Sequence, residues 1–82
     1  MYKVLLEHRA ENDLDVLDSV IRERILERVL KLQNDPRVSA KKLQGSTNAW
    51  RLRVGDWRII YEIDDTRKEI KIYRIKHRSG AY

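Results

Sequence analysis

Arg51, Arg53 and Arg58 are the residues whose types and spacing offer the clearest chemistry. Arg51 and Arg53 alternate with Trp50, Leu52 and Val54, and Arg58 follows the dipeptide Gly55-Asp56. Alternating runs on either side of a two-residue loop read as a β-hairpin, and Gly at the first loop position suits a type II′ turn. Such a loop fixes the register. Val54 pairs with Trp57, Leu52 with Ile59 and Trp50 with Tyr61, on a face that makes a core. Arg53 then lies directly opposite Arg58 on the other face, with Arg51 beside them. Like charges directly across a sheet cost roughly a few tenths of a kcal/mol. Thr or Glu would avoid that cost, so the pairing points to a polyanion over this face; the plain alternative is a solvated surface that is rich in arginine. If Ile63 pairs with Ile70 across the following turn, Arg58 faces Ile75, Ile60 faces Tyr73, and His77 extends along the arginine face.

Guanidinium forks donate paired hydrogen bonds to phosphate oxygens and stabilise charge on a pentacoordinate phosphorus. They are poor bases, because their pKa exceeds about 12. Other catalytic sets are missing. The chain has no Cys, and its two histidines, His8 and His77, stand near opposite ends. A zinc site is not expected, nor is a hard-metal cluster, since the carboxylates fall on helix surfaces and in turns. Gly45, Gly55 and Gly80 are isolated, so no phosphate-binding glycine loop forms. RNA cleavage needs none of these, because the ribose 2′-OH is its own nucleophile. Alignment, charge stabilisation and modest proton transfer suffice, the last from His77, from Tyr82 or from the nucleic-acid environment.

The elements that must position these residues are legible from periodicity. Tyr2 to Glu7 reads as a strand, with His8 at its end. Ala10, Leu14 and Leu17 recur at helical spacing. Asp18-Ser19 offers an N-cap to a second helix, whose stripe of Ile21, Ile25, Val29 and Leu32 is widened by Leu26 and Leu30. Asn34-Asp35-Pro36 ends that helix. Arg37 to Asn48 reads as a polar connection with a turn cluster at Gly45-Ser46-Thr47-Asn48, Asp64 to Glu69 as a turn, and Ile70 to Ile75 as the last strand. Both tryptophans read as core residues, and Arg74 falls awkwardly on the core face. The expected fold is α+β: a small, mainly antiparallel sheet packed on a helical hairpin, in the order β-α-α-β-β-β.

Length and charge bound the rest. With 82 residues the chain is expected to form one domain, residues 1–82, too small for a deep enclosed cavity. Residues 1–40 hold 7 basic and 8 acidic side chains, while residues 41–82 hold 11 basic and 5 acidic. A near-neutral half and a basic half suggest a scaffold and an anion-binding surface. No apolar run approaches the ~20 residues of a membrane span. The N-terminus is charged too soon for a secretory signal, and the lack of Cys fits a reducing cytoplasm.

Lys42-Leu43-Gln44-Gly45, the stretch from Trp50 through Gly55-Asp56 to Ile63, and the ending His77-Arg78-Ser79-Gly80-Ala81-Tyr82 resemble the RelE/ParE toxin superfamily, the ending its RelE branch. The resemblance implies the toxin of a type II toxin–antitoxin pair. It implies a metal-independent endoribonuclease without a cofactor, which enters the ribosomal A site, cleaves the mRNA there and is neutralised by a cognate antitoxin. By that resemblance Arg51 and Arg53 hold the RNA backbone or stabilise charge. Arg58 and Arg78 stabilise the phosphorane, and Tyr82 orients or deprotonates the 2′-OH or stacks on a base. Lys41, Lys42 and Lys76 join Arg51 and Arg53 as candidate RNA contacts. The chain departs from the family pattern in carrying arginine where well-studied members have lysine at positions 51 and 53, which moves acid–base work toward His77. No helix follows Tyr82, so its ring is expected to be mobile. The competing readings are a ParE-like poison of DNA gyrase without nuclease activity and an inactive RNA-binding relative.

Overall fold

The apolar stripe on the second helix and the alternation of the last three strands decide the layering. The computed structural model describes all residues except 38, 39, 44, 46, 47 and 80–82. Its elements are β1 (Lys3–Leu6), α1 (His8–Asp15), α2 (Ser19–Lys31), β2 (Ala40–Lys42), β3 (Ala49–Val54), β4 (Trp57–Asp64) and β5 (Glu69–His77). The sheet runs β1-β5-β4-β3-β2, with β1 parallel to β5 and the other neighbours antiparallel. Both helices pack on one face, where Ile25, Val29 and Leu32 meet Leu52, Ile59 and Ile72 in one buried cluster. The expected α+β class and element order therefore hold, with one strand more than expected. That strand, β2, is three residues long, too short for an alternating signature, and lies within the stretch read as a connection. Its exposed lysines blunt the sheet edge.

Local chemistry explains the ends of each element. Asp18 caps α2 by accepting the Ile21 N–H at 3.0 Å. Arg22 donates to the carbonyls of Leu14 (3.2 Å) and Leu17 (2.7 Å), so a cation closes the carbonyl end of α1 and joins it to α2. His8 opens α1 rather than ending β1. After Lys31 the chain tightens through N–H bonds from Leu32, Gln33 and Asn34 to carbonyls three residues back, well before Pro36. Leu30, expected to widen the buried stripe, is 54% exposed. Tyr61, fully buried, donates its hydroxyl to the Pro36 carbonyl at 2.6 Å and so ties the loop after α2 to the sheet. Burial pushes the Tyr61 phenol up to about 12.

The β3–β4 hairpin adopts the expected register: Val54 with Trp57, Arg53 with Arg58, Leu52 with Ile59 and Trp50 with Tyr61. Gly55 supplies the left-handed φ of 59° at the first loop position. Both tryptophans are half-buried and pack against the core rather than within it. The β4–β5 pairing begins as expected, with Ile63 opposite Ile70 and Tyr61 opposite Ile72. It then shifts by one residue between Ile60 and Tyr61. Tyr73 is the extra residue of a β-bulge, so Ile60 faces Arg74 and Arg58 faces Lys76, not Tyr73 and Ile75. The bulge also removes the difficulty with Arg74, which leaves the core face and pairs with Asp13 of α1 at 2.9 Å.

Candidate functional site

Two rows of residues cross the sheet on the face turned away from the helices. The first is Arg53, Arg58 and Lys76, contributed by β3, β4 and β5 in register. The second is Lys41, Arg51, Ile60 and Arg74, from β2 through β5. Neighbours in such rows have Cβ atoms roughly 5 Å apart. Arg51, Arg58 and Lys76 are half-buried, while Lys41 and Arg53 are exposed. Among the described residues, no acidic side chain lies within 4.0 Å of the charges of Lys41, Arg51, Arg53, Arg58 or Lys76. Arg74 is the exception in the second row, because Asp13 neutralises it. The result is a patch of five cations whose counter-charge must come from outside the described residues.

The remaining expected site residues are placed unevenly. Arg78 continues past β5 beside the hairpin loop, its N–H donating to the Asp56 carbonyl at 2.7 Å. Its guanidinium stands 3.7 Å from the Asp56 carboxylate, and both side chains are about 60% exposed, 59% and 60%. An exposed pair at that distance exchanges readily for a stronger anion. Lys42 pairs with Trp50, so the register puts it on the helix side, apart from Lys41. His77 pairs with Trp57 and meets that ring edge-on at 5.0 Å between centroids. It therefore does not extend along the arginine face: the bulge has turned it to the other side. Its Nδ1 accepts the Ser79 N–H at 3.3 Å and lies 2.9 Å from Ser79 Oγ. A neutral imidazole that accepts at Nδ1 carries its proton on Nε2, and so presents a donor. Tyr82 lies outside the described residues.

The clefts lie elsewhere. One, of about 380 Å³, is lined by Glu62, Asp64, Asp65 and Lys71 at the β4–β5 turn, an acidic end opposite the cations. There Arg37 and the Tyr2 hydroxyl bind Asp65 at 2.8 and 2.6 Å and hold its carboxyl below the usual range. Another, of about 220 Å³, runs between α2 and the hairpin beside Trp57. The basic patch itself is an open surface, as a chain this small requires. Sequence reasoning missed Asp13 and the place of Lys76 directly beside Arg58. The available signal was the spacing of Ile70, Ile72 and Ile75, which breaks a period of two by one residue.

A two-helix layer on a mostly antiparallel sheet, with a hairpin presenting arginines that have no acidic partner among the described residues, defines a class for which relatives exist. The family model describing the ParE toxin of the type II toxin–antitoxin system parDE matches residues 4–82. The chain belongs to the RelE/ParE superfamily of type II toxin–antitoxin toxins and is RelE-like within it. It is 25% identical to the mRNA interferase toxin RelE of Escherichia coli (strain K12) over 85 aligned residues, 99% of this chain and 90% of that protein. It matches RelE in the archaeal RelE–RelB complex from Pyrococcus horikoshii OT3 with a TM-score of 0.85 and 30% identity, covering 98% of each chain. The toxin–antitoxin complex RelBE2 from Mycobacterium tuberculosis matches with a TM-score of 0.86 and 29% identity over 94% of this chain and 98% of that one.

Proposed function

We propose that this chain is a ribosome-dependent endoribonuclease that cuts mRNA in the A site without a metal and is held inactive by a cognate antitoxin. The observation that carries the reading is the Arg53–Arg58–Lys76 row beside Lys41 and Arg51, a cationic surface without acidic partners among the described residues. The 2′-OH attacks the adjacent phosphorus, the 5′-oxygen leaves, and a 2′,3′-cyclic phosphate remains. Arg58, at the centre of its row, and Arg78, released from Asp56, donate to the phosphorane oxygens as charge accumulates. Arg51, Arg53, Lys41 and Lys76 hold the flanking backbone, where charge neutralisation supplies affinity and a salt dependence. The 2′-OH proton passes to solvent, or to Tyr82 when that residue is present as the phenolate, which then becomes the neutral phenol. His77 suits protonation of the leaving oxygen only as the imidazolium, which gives up its Nε2 proton and returns to the neutral ring; this requires the end of β5 to turn toward the arginine face when RNA binds.

The antitoxin's part follows from the same charge. An acidic or amphipathic segment laid over the patch blocks RNA; RelB-type antitoxins accompany the relatives in their complexes. Primer extension on a defined mRNA, with programmed ribosomes and with naked RNA, tests the proposal. Cuts confined to the A-site codon support it. The ParE description of the matching family model favours a second reading, the gyrase poison. That reading expects DNA breaks and an SOS response with intact mRNA.

A further inference from the structure

The bulge at Tyr73 decides which side chain stands beside Arg58. With an unbroken ladder Ile75 would occupy that place, Lys76 would turn toward the helices and His77 toward the arginines. Because β5 absorbs one extra residue, Lys76 completes the row with Arg58 and Arg53. Something must hold this register against the regular one. It is not β1, whose pairing with β5 stops at Leu6 and Ile72, one residue short of the bulge. From there α1 flanks β5, and Asp13 in its last turn reaches across. Its carboxylate accepts the Ile75 N–H at 2.8 Å and the Arg74 guanidinium at 2.9 and 3.3 Å. The Asp13 side chain is 10% exposed and that of Arg74 21%. Both carboxylate oxygens are thus committed to the two residues that follow the bulge. On the other side Tyr73 donates its hydroxyl to Glu62 at 2.9 Å.

We propose that Asp13 is a positioning residue: by binding Arg74 and the Ile75 N–H it pins the Tyr73 bulge and so sets Lys76 beside Arg58. The consequence for RNA cleavage rests on the function proposed above; the consequence for register does not. The experiment therefore reads both. Cross-strand Hα NOEs and amide exchange report the register, and single-turnover cleavage with ribosome binding reports the site. In the wild type Ile59 and Ile75, the non-hydrogen-bonded pair next to Arg58 and Lys76, show mutual Hα NOEs and the Ile75 amide is protected. Asp13→Ala loses those NOEs, speeds Ile75 exchange at least about tenfold and slows cleavage at least about tenfold, with binding weakened in step because Lys76 no longer reaches the RNA backbone. Deleting Tyr73 in the Asp13→Ala chain yields a regular ladder that keeps Lys76 opposite Arg58, and it restores cleavage to within about threefold of wild type. If Asp13→Ala unfolds, Asp13→Asn takes its place: it keeps an acceptor for Ile75 and loses the charge pair with Arg74, so the cross-strand NOEs weaken and cleavage slows while Ile75 exchange changes little. Unchanged NOEs and exchange in a folded Asp13 variant would overturn the proposal. So would a loss of cleavage that deleting Tyr73 does not relieve. A wild type that shows the expected NOEs but never cuts RNA refutes the proposed function and leaves the role of Asp13 standing.

Discussion

Replacing Arg58 with Met separates function from stability in opposite directions. The side chain is half-buried, so Met keeps most of the apolar stem and removes only the fork. Arg58 stands between Arg53 and Lys76 in one row. Removing it relieves two like-charge neighbours, together worth roughly 0.4 kcal/mol. For a chain of 82 residues, with an unfolding entropy near 2.1 cal/mol/K per residue, that raises Tm by about 2 °C. In the mechanism proposed above the same change removes a donor to the developing negative charge, which would cost about 2.7–4 kcal/mol of transition-state stabilisation, or roughly 100- to 1,000-fold in rate. The assays are thermal unfolding and single-turnover cleavage on programmed ribosomes, with binding measured in parallel. A variant that is no less stable, binds nearly as well and cuts at least tenfold more slowly fits the account. A rate within threefold of wild type, or equal losses in binding and cutting, refutes the role given to Arg58.

Four further outcomes are expected. Tyr61→Phe leaves the Pro36 carbonyl without its partner and should cost about 1–2 kcal/mol in denaturant unfolding. Because the Tyr61 phenol is raised to about 12, its contribution is complete below the unfolded value near 10 and is lost as pH rises through about 12, a dependence the Phe variant should lack. Asp65 is lowered by the Arg37 hydrogen bond and then by Tyr2, so its contribution holds above the unfolded carboxyl value and fades as pH falls through the folded one; Asp65→Asn should flatten the acid limb of the stability profile. His77→Gln should change the pH–rate profile of cleavage, and an unchanged profile would remove His77 from proton transfer. Tyr82→Phe should slow cleavage if the hydroxyl takes part, whereas full activity leaves the ring only a stacking role.

The hairpin and its arginine pairing are legible in the sequence because a two-residue loop leaves no freedom in register. The helices are legible because Asp18 and the spacing of Ile21, Ile25 and Val29 obey local rules. The bulge is not local in origin. It is held by Asp13, some sixty residues from Arg74 and Ile75 (61 and 62 apart), and a period of two carried past Ile72 necessarily misplaces Lys76 and His77. β2 escapes because three residues against Trp50, Arg51 and Leu52 carry too little pattern to be read. The cationic residues were thus identifiable by type, but the identity of the neighbour at Arg58 depended on a contact made only in the folded chain.

The central claim is that this surface cuts mRNA on the ribosome. Primer extension with purified protein, programmed ribosomes and a defined message, run beside naked RNA and beside the Arg58→Met variant, tests it most directly. The account predicts A-site cuts that require ribosomes, persist after EDTA when ribosome integrity is controlled, and fade in the variant. Folded wild-type protein that leaves the message intact in both samples would contradict it.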